Sequence, residues 1–292
     1  KNTVASGLTQ EFEGYRDSAV RAQLGYDGGK DFNALLNVHG RDMTGSARLF
    51  RANIIKPKTN DLVDGFDYKK ISTDGKNEQD LSSTGASLRL RVGLGAGLTL
   101  HSITAWETVD VFSRGDIDGG FGASFLPVSG PGVIPFASES ASGMPKHRQL
   151  SQEVRVESAS AGPLNWQAGV YWFDEDYKID SFTYDSLAAG KQNGYQRVRQ
   201  KNDAAAVFGA VNFAVSPDLK LRGGLRYTRD NKTFTVEAYE SSDFVPCVLQ
   251  GKCTLAQLAA KEPYGDLSAR PKDSKLSWDL SGTLALSKDV NL

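Results

Sequence analysis

The feature that most constrains the fold of this chain is an alternation of apolar and polar side chains, in paired segments joined by short turns. Residues 19–26 read AVRAQLGY, and residues 32–41, after a short turn, read FNALLNVHGR. In the first segment the apolar side chains fall on one face, at Val20, Ala22, Leu24 and Tyr26. A period of two is the signature of a β-strand whose two faces meet different surroundings.

Further paired segments surround residues 93–97, 159–163, 216–217 and 287–289. Each segment has about 10 residues, the length at which a tilted strand crosses a bilayer. The turns at one end are short, whereas the stretches that join successive pairs are long and polar. This asymmetry is typical of outer-membrane barrels, and we predict an all-β, antiparallel transmembrane barrel segment.

We predict nine strands and the start of a tenth. They cover residues 16–26, 31–42, 83–93, 97–112, 147–158, 164–179, 200–215, 218–231 and 273–286, and the tenth begins near Val290. Long loops are expected at 43–82, 113–146, 180–199 and 232–272. In isolation such a set should form an open sheet, whereas closure into a small barrel would require the first and last strands to pair.

The apolar faces are predicted to contact lipid and the charged faces to line a wet lumen. The lipid face includes Leu164, Trp166, Ala168, Val170, Trp172, Leu221 and Leu225, and the lumen face includes Arg89, Arg91, Glu153, Arg155, Arg222 and Arg226. An Arg or Lys facing lipid near mid-membrane costs about 2–4 kcal/mol, which favours this assignment. The alternative is a soluble antiparallel sandwich whose aromatic residues fill a core.

Composition narrows the function classes. The net charge of -1 gives no support to a nucleic-acid partner, which would favour a basic surface. The first residues, KNTVASGLTQEFEGY, contain no apolar signal-peptide core. An exported protein requires such a core, so we interpret the chain as an internal piece of a longer precursor.

Three strings in order along the chain resemble the barrel domain of TonB-dependent outer-membrane receptors. They are LTLHSITAWE at 98–107, QLSQEVRVES at 149–158 followed by GPLNWQAGVYWFDED at 162–176, and LKLRGGLRYTRD at 219–230. The resemblance implies that residues 1–292 are part of a barrel of about 22 strands. The N-terminal plug domain and the C-terminal strands of that family are expected to be absent.

The resemblance also implies a function. Members of the family take up scarce nutrients, such as siderophore iron, haem, cobalamin or a glycan, across the Gram-negative outer membrane. The expected partners are outer-membrane lipid and lipopolysaccharide, a small nutrient ligand, and the TonB complex through the missing plug region. No enzyme activity, cofactor, metal or nucleic acid is expected. A passive porin-like channel is the first alternative function, and a soluble secreted all-β enzyme or binding protein is the second.

Two cysteines, Cys247 and Cys253, lie in one predicted loop. The periplasm oxidises thiols, and an outer-membrane protein passes through it, so we predict a structural disulfide between them. A zinc site is not expected, because it would need four ligands and no histidine lies near.

Other motifs are interpreted as structural. Gly93, Gly95 and Gly97 form a GxGxG string between two strands, where glycines favour a turn rather than a phosphate site. The acidic residues 174–176 are expected at a solvated rim. The three histidines, His39, His101 and His147, lie in separate strands with no adjacent carboxylate pattern, and we expect them to be solvated in the lumen.

Ligand contacts are expected from aromatic and polar residues of the long loops. Aromatic faces can stack on planar ligands, and Arg114 can meet an anionic group. The candidate residues are Arg114, Asp116, Asp118, Phe121, Phe125, Tyr184, Tyr195, Phe244 and Tyr264.

Overall fold

The computed structural model describes residues 1–46, 49–122, 133–134, 138–185, 191–240 and 265–286. Its strands are β1 (Tyr15–Gly28), β2 (Phe32–Gly45), β3 (Glu78–Gly95), β4 (Leu98–Asp116), β5 (Phe121–Gly122), β6 (Val133–Ile134), β7 (Ser138–Ser158), β8 (Leu164–Asp185), β9 (Lys191–Ala214), β10 (Leu219–Glu240), β11 (Gly265–Ala269) and β12 (Lys272–Leu284). Strands β5 and β6 form a small parallel pair of their own.

The other strands form one antiparallel sheet in the order β1-β2-β3-β4-β7-β8-β9-β10, and both β11 and β12 pair with β10. Asn231 pairs with Lys272 and Phe234 with Ala269, so β11 and β12 follow β10 as one strand interrupted at Arg270 and Pro271. A proline has no N–H for the ladder, which explains the interruption.

All nine predicted strands are present, whereas the predicted tenth strand lies outside the described residues. Within the described residues, no ladder joins β1 to β11 or β12, so the sheet is open as predicted. No helix long and apolar enough to cross a bilayer occurs in this part of the chain.

The GxGxG string makes the turn between β3 and β4, as predicted. Gly95 and Gly97 have φ angles of 79° and 74°, in the left-handed region that favours glycine. A Cβ on Gly97 would also lie 2.8 Å from the backbone oxygen of Ala159, in the neighbouring turn.

The strands are longer than predicted, and the expectation of a loop at 180–199 was wrong. Strand β8 has 22 residues and β9 has 24, about twice the number needed to cross a bilayer. Beyond the predicted membrane-crossing part, both faces of a strand would meet water, so the alternation of side chains ends while the backbone ladder continues. The alternation therefore marks only the membrane-crossing half of each strand.

The register of the sheet supports the predicted facing. Val170 pairs with Val207, Val207 with Tyr227, and Tyr227 with Leu276, so one apolar row crosses four strands. These four side chains are exposed, and Val207 keeps 61% of its accessible surface. The buried apolar residues in the described part are only Ile71, Ala141, Tyr195 and Ala206. A soluble sandwich would bury its apolar face, so this alternative is inconsistent with the fold.

Candidate functional site

Five of the predicted ligand residues have described side chains, and four of them lie in strands. Arg114 and Asp116 end β4, Tyr184 lies near the end of β8, and Tyr195 lies near the start of β9. The expectation that these four occupy loops was wrong, because the strands extend beyond their predicted ends. Asp118 follows β4, and Phe121 begins β5, where only its backbone is described. The other predicted site residues, Phe125, Cys247, Cys253, Phe244 and Tyr264, lie outside the described residues.

Arg114 is held between an acid and an aromatic ring. Its Nε donates a hydrogen bond of 2.7 Å to Glu139 Oε2, and its guanidinium carbon lies 3.9 Å from the centre of the Tyr184 ring. The side chains of Arg114 and Glu139 keep only 17% and 11% of their accessible surface. Burial raises the pKa of Glu139, although Arg114 opposes this shift. Among the described residues, Glu139 is the one hydrogen-bond partner of the Arg114 guanidinium, so its other N–H groups are available to an anionic partner.

Asp116 fastens a distant segment to the top of β4. Its Oδ2 accepts hydrogen bonds from Thr73 Oγ1 and from the Gly75 amide, the latter at 3.1 Å. Its Oδ1 accepts from the Gly119 amide at 3.1 Å. Both Asp116 and Thr73 are buried. A carboxylate with this many donors is a structural latch rather than a free ligand contact.

Asp118 lies next to Asp116, and its carboxylate also binds backbone amides of nearby segments. Its carboxylate accepts from the amides of Gly120 and Ser138, at 2.8 Å and 2.5 Å. Burial, with a hydrogen bond to Asp116 second, raises the pKa of Asp118 to about 7. The carboxylates of Asp74, Asp116 and Asp118 lie within 4.8 Å of one another. Sequence reasoning missed this group because Asp74 belongs to another part of the chain.

Tyr195 is buried against a second ion pair. Its hydroxyl donates to Asp180 Oδ1 at 2.9 Å, and Arg197 donates two hydrogen bonds of 2.6 Å to the same carboxylate. The ring of Phe182 lies 5.3 Å from the ring of Tyr195. Burial and the hydrogen bond to Asp180 raise the pKa of Tyr195. The structure therefore gathers two small clusters above the membrane, one around Arg114 to Asp118 and one around Tyr195.

Each histidine is paired with a glutamate on the lumen face. His39 Nε2 lies 3.0 Å from Glu107 Oε2. His101 and His147 lie at 2.8 Å and 3.0 Å from their partners, Glu157 and Glu175. The histidines face the lumen, as expected, and each also meets a glutamate that comes from another strand. Such pairs cannot be predicted from the sequence of one strand, because the two partners lie on different strands.

Glycines let some lumen side chains reach across a strand. Gly169 pairs with both Arg155 and Phe208, and a Cβ there would lie 2.6 Å from Phe208 Cζ. Beyond Phe208, the guanidinium of Arg226 lies 5.7 Å from that ring and 5.4 Å from the Tyr171 ring. These contacts give the lumen wall a mixed cationic and aromatic surface.

The acidic cluster at 174–176 is divided between the two faces of the sheet. Asp176 accepts two hydrogen bonds from Arg199, at 3.0 Å and 2.6 Å. Glu175 faces the other way and meets His147 and Asn202. The hydrogen bond with Arg199 lowers the pKa of Asp176. These carboxylates therefore do not form one cation site.

Comparison with known proteins gives one family and several structural neighbours. A family model described as TonB dependent receptor-like, beta-barrel, matches residues 10–287. A search of curated protein sequences returns no significant match.

Among solved structures, the fold is similar to the ferric yersiniabactin uptake receptor FyuA from Yersinia pestis, with a TM-score of 0.67 and 12% identity over 96% of this chain and 37% of that one. The ferric-catecholate import receptor Fiu from E. coli K12, in its open form, gives 0.63 and 13% over 95% and 46%. The ferric preacinetobactin receptor BauA from Acinetobacter baumannii gives 0.52 and 12% over 95% and 38%. The chain thus spans less than half of each of these structures.

Proposed function

Because the chain belongs to the TonB-dependent receptor-like β-barrel family, we propose that it forms part of the wall of an outer-membrane receptor that imports a ferric siderophore and is energised through TonB. The family is one of receptors, not enzymes. The proposed receptor lies in the Gram-negative outer membrane, with the exposed apolar face of the sheet in lipid.

The proposal rests on the difference between the two faces of the sheet, one apolar and one polar. One face presents apolar rows such as Val170, Val207 and Tyr227, and the other presents His–Glu pairs and Arg226 between two aromatic rings. A lipid-facing apolar surface backed by a polar lumen is the arrangement of a transport barrel. Three structural neighbours are receptors for ferric yersiniabactin, ferric catecholate and ferric preacinetobactin, which favours a ferric siderophore over haem, cobalamin or a glycan.

We place the entrance for the ligand at the upper ends of β4, β7, β8 and β9. Arg114, stacked on Tyr184, offers a cationic and aromatic contact for an anionic iron chelate. Asp116 and Asp118 hold the surrounding segments in place, and Tyr195 packs beside Phe182, its partner on the neighbouring strand. Phe121, Phe125, Phe244 and Tyr264 remain proposed ligand contacts.

Uptake of radiolabelled ligands tests the proposal, with radioactive iron in the siderophores and haem, radioactive cobalt in cobalamin and radioactive carbon in the oligosaccharides. A strain that lacks the gene and its complemented counterpart are given ferric siderophores of the catecholate and mixed-chelate classes, and then haem, cobalamin and oligosaccharides. We expect gene-dependent uptake of one ferric siderophore, abolished by a protonophore or by loss of TonB. Uptake that survives both treatments would instead support a passive channel, and gene-dependent uptake of another nutrient would overturn the siderophore assignment.

A further inference from the structure

The lumen face of the sheet has a shallow recess that opens toward the lumen. The recess has a volume of about 280 Å³. Its floor includes Ala210 and Gly224, which pair in register on β9 and β10. A Cβ on Gly224 would overlap the carboxylate of Asp279, so the glycine lets that side chain lie across β10. Two small residues side by side therefore leave space between rows that carry larger side chains.

Two arginines border this recess, one on each side of Gly224 along β10. Arg222 Nε lies 3.6 Å from Asp279 Oδ2, and both of these side chains are exposed. Arg226 Nε donates to Thr228 Oγ1 at 3.1 Å, and among the described residues no carboxylate oxygen lies within 4.0 Å of the Arg226 guanidinium. The charged residues of the lining are these two arginines and Asp279. The recess therefore keeps one positive charge that the described residues do not neutralise.

Two aromatic rings flank the Arg226 guanidinium. Its carbon lies 5.4 Å from the centre of the Tyr171 ring and 5.7 Å from the centre of the Phe208 ring. Phe208 pairs with Gly169, and a Cβ there would lie 2.6 Å from Phe208 Cζ, so the ring lies across the neighbouring strand. Contact with the rings restricts the guanidinium. Its remaining N–H groups are then available as a planar fork.

The recess lies within the membrane-crossing part of the barrel wall. Arg226 lies seven residues beyond Leu219, where β10 begins after a short turn. At about 3.3 Å per residue and a tilt near 45°, this places Arg226 about 16 Å from the short-turn end. The apolar band of such barrels is about 25 Å tall. The recess is therefore inside the lumen and separate from the proposed entrance around Arg114.

We propose that this recess is an inner binding site for a planar aromatic anion, a carboxylate or catecholate, with Arg222 and Arg226 donating hydrogen bonds to it and Phe208 contacting its ring. Charge selects an anion over a cation, because two guanidinium groups accompany one carboxylate. The planar fork of a guanidinium favours a group with two coplanar oxygens, and the Phe208 ring favours an aromatic group. The inference rests on the barrel orientation in the proposed function, and it adds a second site for an anionic ligand below the entrance.

Charged thiol reagents test the electrostatic part in outer membranes that contain the full-length receptor. Ala210→Cys places one cysteine on the floor of the recess, with Cys247 and Cys253 replaced by serine. At low ionic strength, the ratio of the reaction rates of a negatively and a positively charged methanethiosulfonate should be about tenfold higher than with free cysteine, for one net positive charge about 6 Å away in water. Arg226→Gln should abolish this preference. The matched control, Arg91→Gln on β3, removes a lumen cation five strands away, about 24 Å, and should change the ratio less than about twofold.

Protection of the same cysteine tests the ligand. The reagent is uncharged N-ethylmaleimide, and the probes are salicylate, its neutral amide salicylamide, and acetate. Salicylate should slow the reaction at a concentration about fivefold lower than acetate, because its ring contacts Phe208, and salicylamide should not slow it. Arg226→Gln should remove the protection by salicylate, and Phe208→Leu should raise the salicylate concentration required about fivefold. Arg91→Gln should leave the protection unchanged. Heat-modifiable gel mobility confirms that each variant is folded.

Three results would overturn the proposal. The first is a ratio of reaction rates equal to that of free cysteine, which would mean that another part of the receptor neutralises the recess. The second is equal protection by salicylate and either salicylamide or acetate, and the third is unchanged protection in Arg226→Gln. Protection by salicylate in a receptor that imports no ferric siderophore would support the recess and reject the proposed function. Siderophore uptake without any protection would support the proposed function and reject the recess.

Discussion

His39 Nε2 lies 3.0 Å from Glu107 Oε2, although the two residues belong to strands that are not neighbours. His39 lies on β2 and Glu107 on β4, and each pairs in register with Gly85 on β3. The two side chains meet above a position that has no side chain. A Cβ on Gly85 would overlap the Glu107 carboxylate. The glycine therefore makes this lumen contact possible.

Gly85→Ala is expected to break the contact between His39 and Glu107. A double-mutant cycle with His39→Ala and Glu107→Ala, read as free energies of unfolding in urea, should give a coupling of about 0.5–1 kcal/mol in the native background. In the Gly85→Ala background the coupling should fall to about zero. An unchanged coupling free energy in that background would show that the contact between His39 and Glu107 does not depend on Gly85.

Leu225→Arg is expected to destabilise the barrel by about 2–4 kcal/mol, because Leu225 belongs to the lipid-facing row of Ala168, which lies between Trp166 and Trp172 on β8. Leu225 keeps 59% of its accessible surface and pairs with Gly209 and Trp278. The matched control, Ala210→Arg, adds the same charge to the lumen face at the same height and should be nearly neutral. Heat-modifiable gel mobility after urea titration measures both, and equal effects would contradict the assigned faces.

Arg114→Met is expected to cost about 1–3 kcal/mol, because it leaves the Glu139 carboxylate partly buried without its partner. The double variant Arg114→Met with Glu139→Met should recover most of this loss, since an apolar pair leaves no unpaired charge. Arg41→Met is the control, because the ion pair of Arg41 with Asp17 is more exposed and its loss should change the free energy of unfolding much less. Urea unfolding gives the free energy of unfolding of all four proteins. A double variant that is no more stable than Arg114→Met would refute the pairing.

The segment at 116–120 is expected to loosen as the pH rises from about 4 to about 7. The pKa of Asp118 rises from 3.8 to about 7 in the folded protein, so the folded state holds this proton more tightly than the unfolded state does. The stability from this group is full below the unfolded pKa and is lost as the pH rises through the folded pKa. Asp116 and Asp74 are the acidic neighbours.

Hydrogen exchange at the Ser138 amide, corrected for its intrinsic rate, measures this effect. Asp118→Asn should remove the pH dependence between about 4 and 7, whereas Asp61→Asn, in an exposed loop, should keep it. The same pH dependence in Asp118→Asn as in the unchanged protein would assign the effect to another group.

A disulfide between Cys247 and Cys253 remains a prediction, because both residues lie outside the described part of the chain. Thiol labelling of the intact protein should detect no reactive cysteine before reduction and two after it. Cys247→Ser should leave Cys253 reactive without reductant. Labelling of both cysteines in the unreduced protein would rule out the bond.

The sequence by itself determined the class of fold and the facing of the strands. Alternation is local, because successive side chains of a strand point to opposite faces whatever lies beside it. Val170 and Trp172 could therefore be assigned to the lipid face before any neighbour was known. The same local signal fails above the membrane, where both faces are wet, and this is why Tyr184 and Tyr195 were expected in loops rather than in strands.

Only the tertiary structure decided which side chains meet. A contact such as that between His39 and Glu107 depends on the register of three strands, and a shift of one residue would move each side chain to the other face. The latch from Asp116 to Thr73 joins parts of the chain 43 residues apart. The register of distant strands depends on every turn and bulge between them, so it cannot be predicted from any single segment of the sequence.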